Sequence, residues 1–217
     1  QNVMFTIDEN HELSMNAKEW NRDLTKTIHQ INAAEAGLTE KPDRGKATVT
    51  LPELRKGNIG LVVATQIARY VGPGNSLPGW HSPEQAWAQT QGQLAWYNAM
   101  EQAGEMVQVN DLNSLNKHIA LWEDDAMSNL QKPVGYILSL EGADSMVTVH
   151  HLEKAWQYGL RALGPAHDGP GRYANGTDAT GTMDNNGIAL LREMERVNII
   201  FDANQLVEWE RTRLNSN

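Results

Sequence analysis

Four aliphatic runs in this sequence end in groups able to bind a metal or move a proton. Val3 to Ile7 leads into Asp8, Asn10, His11 and Glu12, and Val134 to Leu140 leads into Glu141-Gly142. Leu160 to Ala166 leads into His167-Asp168, and Ile199 to Phe201 into Asp202-Ala203-Asn204-Gln205. Carboxylates and imidazoles are the usual oxygen and nitrogen ligands of divalent cations. An ion held by them polarises a carbonyl or activates a water. One such ending would mean little, but four at equivalent positions favour a shared site.

The positioning elements can be read from the spacing. The runs are short and rich in Val, Ile and Leu, as strands covered on both faces are. A further run, Ile59 to Ile67, has the same character. Helical patterns lie between them. Ser82-Pro83-Glu84 is an N-cap, a first-turn proline and a first-turn acid. Asp111, Thr148 and Asp184 stand where caps of three later helices belong, and Asn16 to Glu35 reads as a less regular helix. Strands alternating with helices predict a parallel α/β sheet, either a (β/α)8 barrel or a doubly wound sheet. In a barrel the carboxyl ends of the strands carry the chemistry. The chain reads as a single α/β domain over residues 1–217, without repeats or a clear internal boundary.

Composition narrows the function. The formal net charge of -9 argues against a nucleic-acid groove. The absence of cysteine excludes disulfides, thiolate metal sites and cysteine nucleophiles. No apolar run approaches the roughly 18 residues of a transmembrane helix. Gln1 lies almost directly on a strand, so no signal peptide is expected, and the compartment stays open between bacterial cytoplasm and an exported, processed form. Gly169-Pro170-Gly171 lacks the residues of a phosphate loop. His150-His151 opens a helix, where adjacent histidines do not face one site.

At this point the motifs resemble a known family. The stretch Ile7 to Leu24, IDENHELSMNAKEWNRDL, is similar to the opening of the membrane (renal) dipeptidase-like metallopeptidases, the M19 peptidases. Leu54 to Gly60, Gln91 to Tyr97, Ser139 to Asp144, Gly159 to His167 and Leu191 to Arg196 resemble later family segments in the same order. The resemblance implies a (β/α)8 barrel holding two zinc ions that cleaves dipeptides with a metal-activated water. Five strands are the first part of such a barrel, which needs about 250 residues. The expected partners are a dipeptide substrate and either further copies of the chain or a C-terminal half that completes the barrel.

Carried over residue by residue, the resemblance places Asn10 at the family's first metal-binding His and Glu12 at its Asp. Glu141 stands at the bridging Glu, and His167 at the His associated with substrate and the tetrahedral intermediate. Gln205 stands at a later metal-binding His, with Asp202 as its neighbour in the motif. Amide oxygens are poor zinc ligands, and Glu is one methylene longer than Asp. A carboxylate-rich set suits magnesium, manganese or calcium better. A bulge at the end of the first strand would give His11 the ligand role in place of Asn10. Arg172 and Tyr173, in the Gly-rich loop after His167, are candidates to meet a substrate carboxylate. The expectation is a metal-dependent dipeptidase, and the alternative is an inactive barrel that has lost its zinc centre and serves in binding or assembly.

Overall fold

The structure, a computed structural model, describes residues 6–177 and 179–206, with the side chains of residues 7–10 left out. The side chain of Asn10 therefore lies outside the described residues. The chain divides into two compact units, Gln1–Thr65 with Gln93–Ile137, and Gln66–Gly92 with Leu138–Asn217. The parallel α/β pattern expected from the sequence is present, and every strand pairing within each unit is parallel.

In the first unit, β1 (Thr6–His11) pairs with β2 (Ile59–Ile67). Asp8 lies opposite Val62 and His11 opposite Ala64, so β1 advances three residues while β2 advances two. The extra residue is a bulge, which reverses the alternation of side chains beyond it. The irregularity that the His11 expectation requires is thus found at this strand end. His11 itself is half-buried, and its carbonyl accepts the Thr65 hydroxyl at 3.3 Å.

The helix expected over Asn16 to Glu35 is two helices, α1 (Leu13–Glu19) and α2 (Ile28–Ala34). Asn21 takes a left-handed conformation, φ 52°, which breaks the first. Thr27 and Gln30 form a capping box that starts the second. A short α3 (Leu51–Lys56), not expected from the sequence, leads into β2. Helix α4 (Pro83–Gln102) begins where Ser82-Pro83-Glu84 predicts, with the Ser82 hydroxyl accepting the Gln85 amide at 3.1 Å. It passes from the second unit into the first, as do β2 and β4 (Val134–Glu141) in the opposite direction. Strand β3 (Met106–Gln108) escaped the sequence reading because three residues cannot show an alternation. Helix α5 (Leu112–Glu123) is capped by Asp111 as predicted.

The first unit buries Tyr97 and Tyr136, which stack with ring centroids 5.0 Å apart. It also buries polar groups, two of which, His118 and Lys132, are tied to backbone oxygens. His118 on α5 lies 2.6 Å from the Gly60 carbonyl, which fixes a proton on Nε2. Burial lowers its pKa, so the ring stays neutral. A Cβ on Gly135 would fall 2.5 Å from that nitrogen, so β4 needs glycine there to admit the ring. The Lys132 ammonium donates to the carbonyls of Trp122 and Asp124 and to Asn129 Oδ1, at 2.7–3.0 Å, which suits the carbonyl end of α5.

Glu35 ends α2 inside a cage of cations. Arg22 donates to both carboxylate oxygens at 2.7 and 3.1 Å, Arg44 adds a bond at 2.9 Å, and the Gly45 amide one at 2.7 Å. Arg22 also reaches the Asp43 carbonyl and Arg44 the Trp20 carbonyl, so this one carboxylate closes the polar loop over residues 37–46.

In the second unit, β4 pairs with β5 (Leu160–Gly164), and β5 with β6 (Ile200–Phe201). Helix α6 (His151–Gln157) starts after His150 and not at Thr148; the Thr148 hydroxyl lies 3.0 Å from His151 Nδ1 instead of capping. Helix α7 (Asn185–Val197) is capped by Asp184 as predicted and ends at left-handed Asn198, φ 68°. The alternation of strand and helix is that of a βαβ chain, and it leaves the carboxyl ends of β4 and β5 side by side.

The Glu35 cage sets a pH dependence. The Arg22 hydrogen bonds and charge hold the Glu35 carboxyl down at about 2, against an ordinary 4.5. The unfolded chain therefore binds this proton first as pH falls, and the resulting stability is present above pH 4.5 and lost on the way to about pH 2. Its size is on the order of 2–3 kcal/mol. Glu35→Ala strands two guanidinium groups and is expected to cost about 3–5 kcal/mol at neutral pH, read by urea denaturation. The deficit should shrink in acid; a deficit unchanged down to pH 2.5 would contradict the assignment.

Candidate functional site

Two of the expected groups meet in the second unit. Glu141 is the last residue of β4 and is buried, and Gly164 of β5 is its register partner. His167 stands three residues beyond the end of β5. The ladder continues past both strands, with the Gly142 amide on the Gly164 carbonyl at 2.9 Å and Ala143 on Pro165 at 3.2 Å. Gly142 turns the chain at φ +75°, which favours glycine, and its α-carbon passes beside the His167 backbone. A carboxylate oxygen of Glu141 and a ring nitrogen of His167 consequently lie within 4.8 Å of each other.

The loop after His167 folds back on its own start. Thr177 donates to the His167 carbonyl at 3.1 Å, the Gly169 amide to Thr177, and the Gly176 amide to Gly169. A Cβ on Gly176 would overlap the His167 carbonyl oxygen, so only glycine allows this return. The buried Asp144 carboxylate pins the same loop from below. It accepts the Arg172 amide at 2.8 Å and, from the loop after β2, the Tyr70 amide at 3.0 Å. Burial still pushes the Asp144 pKa up, outweighing those bonds and the charges of Arg172 and Arg69.

The two candidates beyond His167 are engaged differently from the expectation. The Arg172 guanidinium donates to the carbonyls of Asp144, Met146 and Val147 at 2.6–3.2 Å, and the Tyr173 hydroxyl donates to Met146 at 2.5 Å. These contacts brace the loop and leave the guanidinium facing backbone. Gln205 accepts the Thr177 hydroxyl at 2.9 Å through its amide oxygen, the atom that would have faced a metal. Glu12 occupies the N-cap position of α1 in the first unit, where its carbonyl accepts the Asn16 amide and side chain, each at 3.1 Å.

His167 has two neighbours with opposite demands. Asp168 Oδ2 lies 3.4 Å from Nδ1 and favours a proton there, leaving the Nε2 lone pair for a metal. Arg69 Nη2 lies 3.5 Å from the same Nδ1 and, being only a donor, favours the other tautomer, with Nε2–H free to donate. The first arrangement makes His167 a ligand and the second makes it a hydrogen-bond donor to an oxyanion. Beside these groups lies a small cleft of about 20 Å³ bounded by Ile67, Arg69, Glu141, Asp144, His167 and Gly171.

Arg69 was not anticipated. Its signal was available, because it stands two residues beyond the Ile59–Ile67 run, at the one strand end that carried no ligand-type residue. Asp144 and Asp168 lay inside quoted motifs without a role.

A parallel α/β chain with its polar groups at the carboxyl ends of β4 and β5 has the pattern of part of a (β/α)8 barrel. Solved structures share this fold. The chain is similar to dipeptidase AC, described as a metallopeptidase of family M19, with a TM-score of 0.68 and 17% identity over 99% of this chain and 61% of that one. It is also similar to the probable dipeptidase PvdM from Pseudomonas aeruginosa, with a TM-score of 0.60 and 14% identity over 82% of this chain and 44% of that one. An amidohydrolase from Pseudomonas aeruginosa matches with a TM-score of 0.56 and 15% identity over 76% and 44%. The chain thus spans 44–61% of the length of these proteins. At such identities the likeness establishes the fold. No family model matches the sequence, and neither does any curated protein.

The return of the loop onto His167 can be tested without any ligand. Gly176→Ala must displace the His167 backbone and is expected to cost about 1–3 kcal/mol in chemical denaturation. Gly74 has a positive φ that asparagine tolerates, and a Cβ there would meet nothing within 4 Å, so Gly74→Asn should be close to neutral. Equal effects of the two substitutions would contradict the close approach.

Proposed function

We propose that the chain forms part of a metal-dependent hydrolase of the dipeptidase kind, which cleaves the peptide bond of dipeptides. The observation that carries this reading is the pairing of Glu141 with His167 at adjacent strand ends, in a fold shared with dipeptidases. The Glu141 carboxylate suits a divalent cation such as zinc or manganese, and His167 stands beside it to meet the substrate. Glu12 enters as a further ligand from the sequence resemblance alone, with His11 as the alternative to Asn10 that the bulge in β1 favours. When bound, the ion supplies the Lewis acidity that polarises a scissile carbonyl and makes a water nucleophilic near neutral pH.

The chain's own groups do the rest. Glu141 would hold the cation with little access to solvent, which strengthens the attraction. In the tautomer that Arg69 favours, His167 Nε2–H donates to the oxygen that gains charge as the carbonyl is attacked. Asp144 and Gly176 fix the loop that carries His167.

A non-catalytic role is the second reading, and one contact favours it. Gln205 spends its amide oxygen on Thr177, in a position where the family resemblance calls for imidazole. A chain without that ligand suits one cation better than two zincs.

Metal content and hydrolysis separate the readings. Purified protein loaded with zinc or manganese should bind at least one ion per chain, and Glu141→Ala should release it, as measured by elemental analysis. Hydrolysis of a dipeptide panel should accompany binding, with His167→Gln lowering kcat by about 100- to 1,000-fold, the usual loss on removing an oxyanion donor. Absence of both metal binding and hydrolysis would leave the non-catalytic reading standing.

A further inference from the structure

Glu12 stands between two residues that are tied to one place on β2. On one side, the Thr65 hydroxyl donates to the His11 carbonyl at 3.3 Å. On the other, the Ser14 hydroxyl donates to the Thr65 carbonyl at 3.0 Å. The Tyr97 hydroxyl, from α4, donates to the same carbonyl at 2.9 Å. Ser14, Thr65 and Tyr97 are all fully buried. A carbonyl oxygen has two lone pairs, and these two hydroxyls occupy both.

This clasp sits where regular structure gives out. Among the described pairings of β1 with β2, His11 opposite Ala64 is the last, and it follows the bulge. Thr65 is the next residue of β2. Glu12 has φ -78° and ψ 49°, close to an inverse γ-turn and neither extended nor helical. Its side chain makes no capping bond to α1, so the helix start does not decide where the carboxylate points. The clasp supplies that constraint from both sides. Tyr97 backs it with a ring stacked on Tyr136. Burial pushes the Tyr97 pKa up, against hydrogen bonds from Ser14 that lower it, so the phenol keeps its proton and stays a donor.

We infer that Thr65 and Ser14 are positioning residues for the cation, holding Glu12 by its two neighbours so that its carboxylate is aimed at the ion. The inference rests on the dipeptidase reading, with Glu12 as a ligand, and adds to it the groups that direct that ligand. Both hydroxyls turn to backbone carbonyls, so they act through Glu12 and not on the ion. The need for them is specific to this chain. Glu carries one more rotatable bond than the Asp that the family resemblance calls for, so its carboxylate sweeps a wider arc unless the backbone beneath it is fixed.

The test uses the full chain, stripped of metal and titrated with cobalt(II), whose visible absorption follows its coordination geometry. Thr65→Val removes one hydroxyl at nearly constant shape, and Ser14→Ala removes the other while favouring the helix. Each should weaken cobalt binding about tenfold or more and change the spectrum of the saturated site. Thr65→Ser keeps its hydroxyl and should bind as the native chain does. In the weaker-binding Glu12→Gln background both losses should vanish, because the ligand they aim is gone. Native affinity and spectrum in either folded variant would overturn the inference. So would a Thr65→Ser chain as weak as Thr65→Val, or losses of full size without Glu12. Circular dichroism reports the fold of each variant, and a misfolded Thr65→Val leaves Ser14→Ala to decide. Cobalt bound by the native chain with both variants indifferent defeats the positioning role alone. A native chain that binds no cobalt retracts the dipeptidase reading and the positioning role with it.

Discussion

The site depends on one buried carboxylate that is not itself a ligand candidate. Asp144 joins the end of β4 to two loops by accepting the amides of Tyr70 and Arg172. A buried carboxylate is costly, and its raised pKa reflects that cost. What it gives in return is rigidity. Arg69 precedes one anchored amide by a single residue, and His167 begins the loop that contains the other. The positions of the cation and the imidazole are therefore set by bonds to backbone, which side-chain motion cannot relax.

Much of this was legible in the sequence because strand ends and helix caps are local signals. Glu141 and His167 each stand at the end of an aliphatic run, and the structure brings their ligand atoms together. Ser82, Asp111 and Asp184 mark helix starts as expected. Most of the misses are made by contacts far apart in sequence. Arg172 and Tyr173 lie near the cleft in sequence, yet carbonyls 25–28 residues away claim their donors. Strand β3 owes its existence to β4, and its three residues carry no pattern of their own. Residues 16–35 read as one helix because propensity does not reveal that Asn21 turns left-handed. Arg69 differs from these. A guanidinium is a partner for anions, so a pattern of metal ligands does not include it.

The charged residues of the first unit show the other use of burial. Arg55 donates to the carbonyls of Lys132 and Glu105 and to the Glu105 carboxylate, at 2.6–3.0 Å. Lys132 and the Glu35 cage work in the same way. These groups satisfy backbone oxygens that loops would otherwise leave exposed to the interior. Sequence alone cannot separate such pegs from functional charges, since both are polar residues beside apolar runs. Their partners separate them: a peg is saturated by carbonyls, whereas among the described residues the Arg69 guanidinium meets Asp168 at 4.0 Å and His167 at 3.5 Å.

The extra residue in β1 changes what counts as an equivalent sequence at that edge. Beyond Asp8 the strand has slipped by one place against β2. Which residue faces which way is therefore decided by how many residues precede it as much as by their kind. In an alignment of related chains a gap of one placed between residues 8 and 11 would be a statement about geometry. Insertions and deletions, usually treated as noise at the ends of strands, carry the information here.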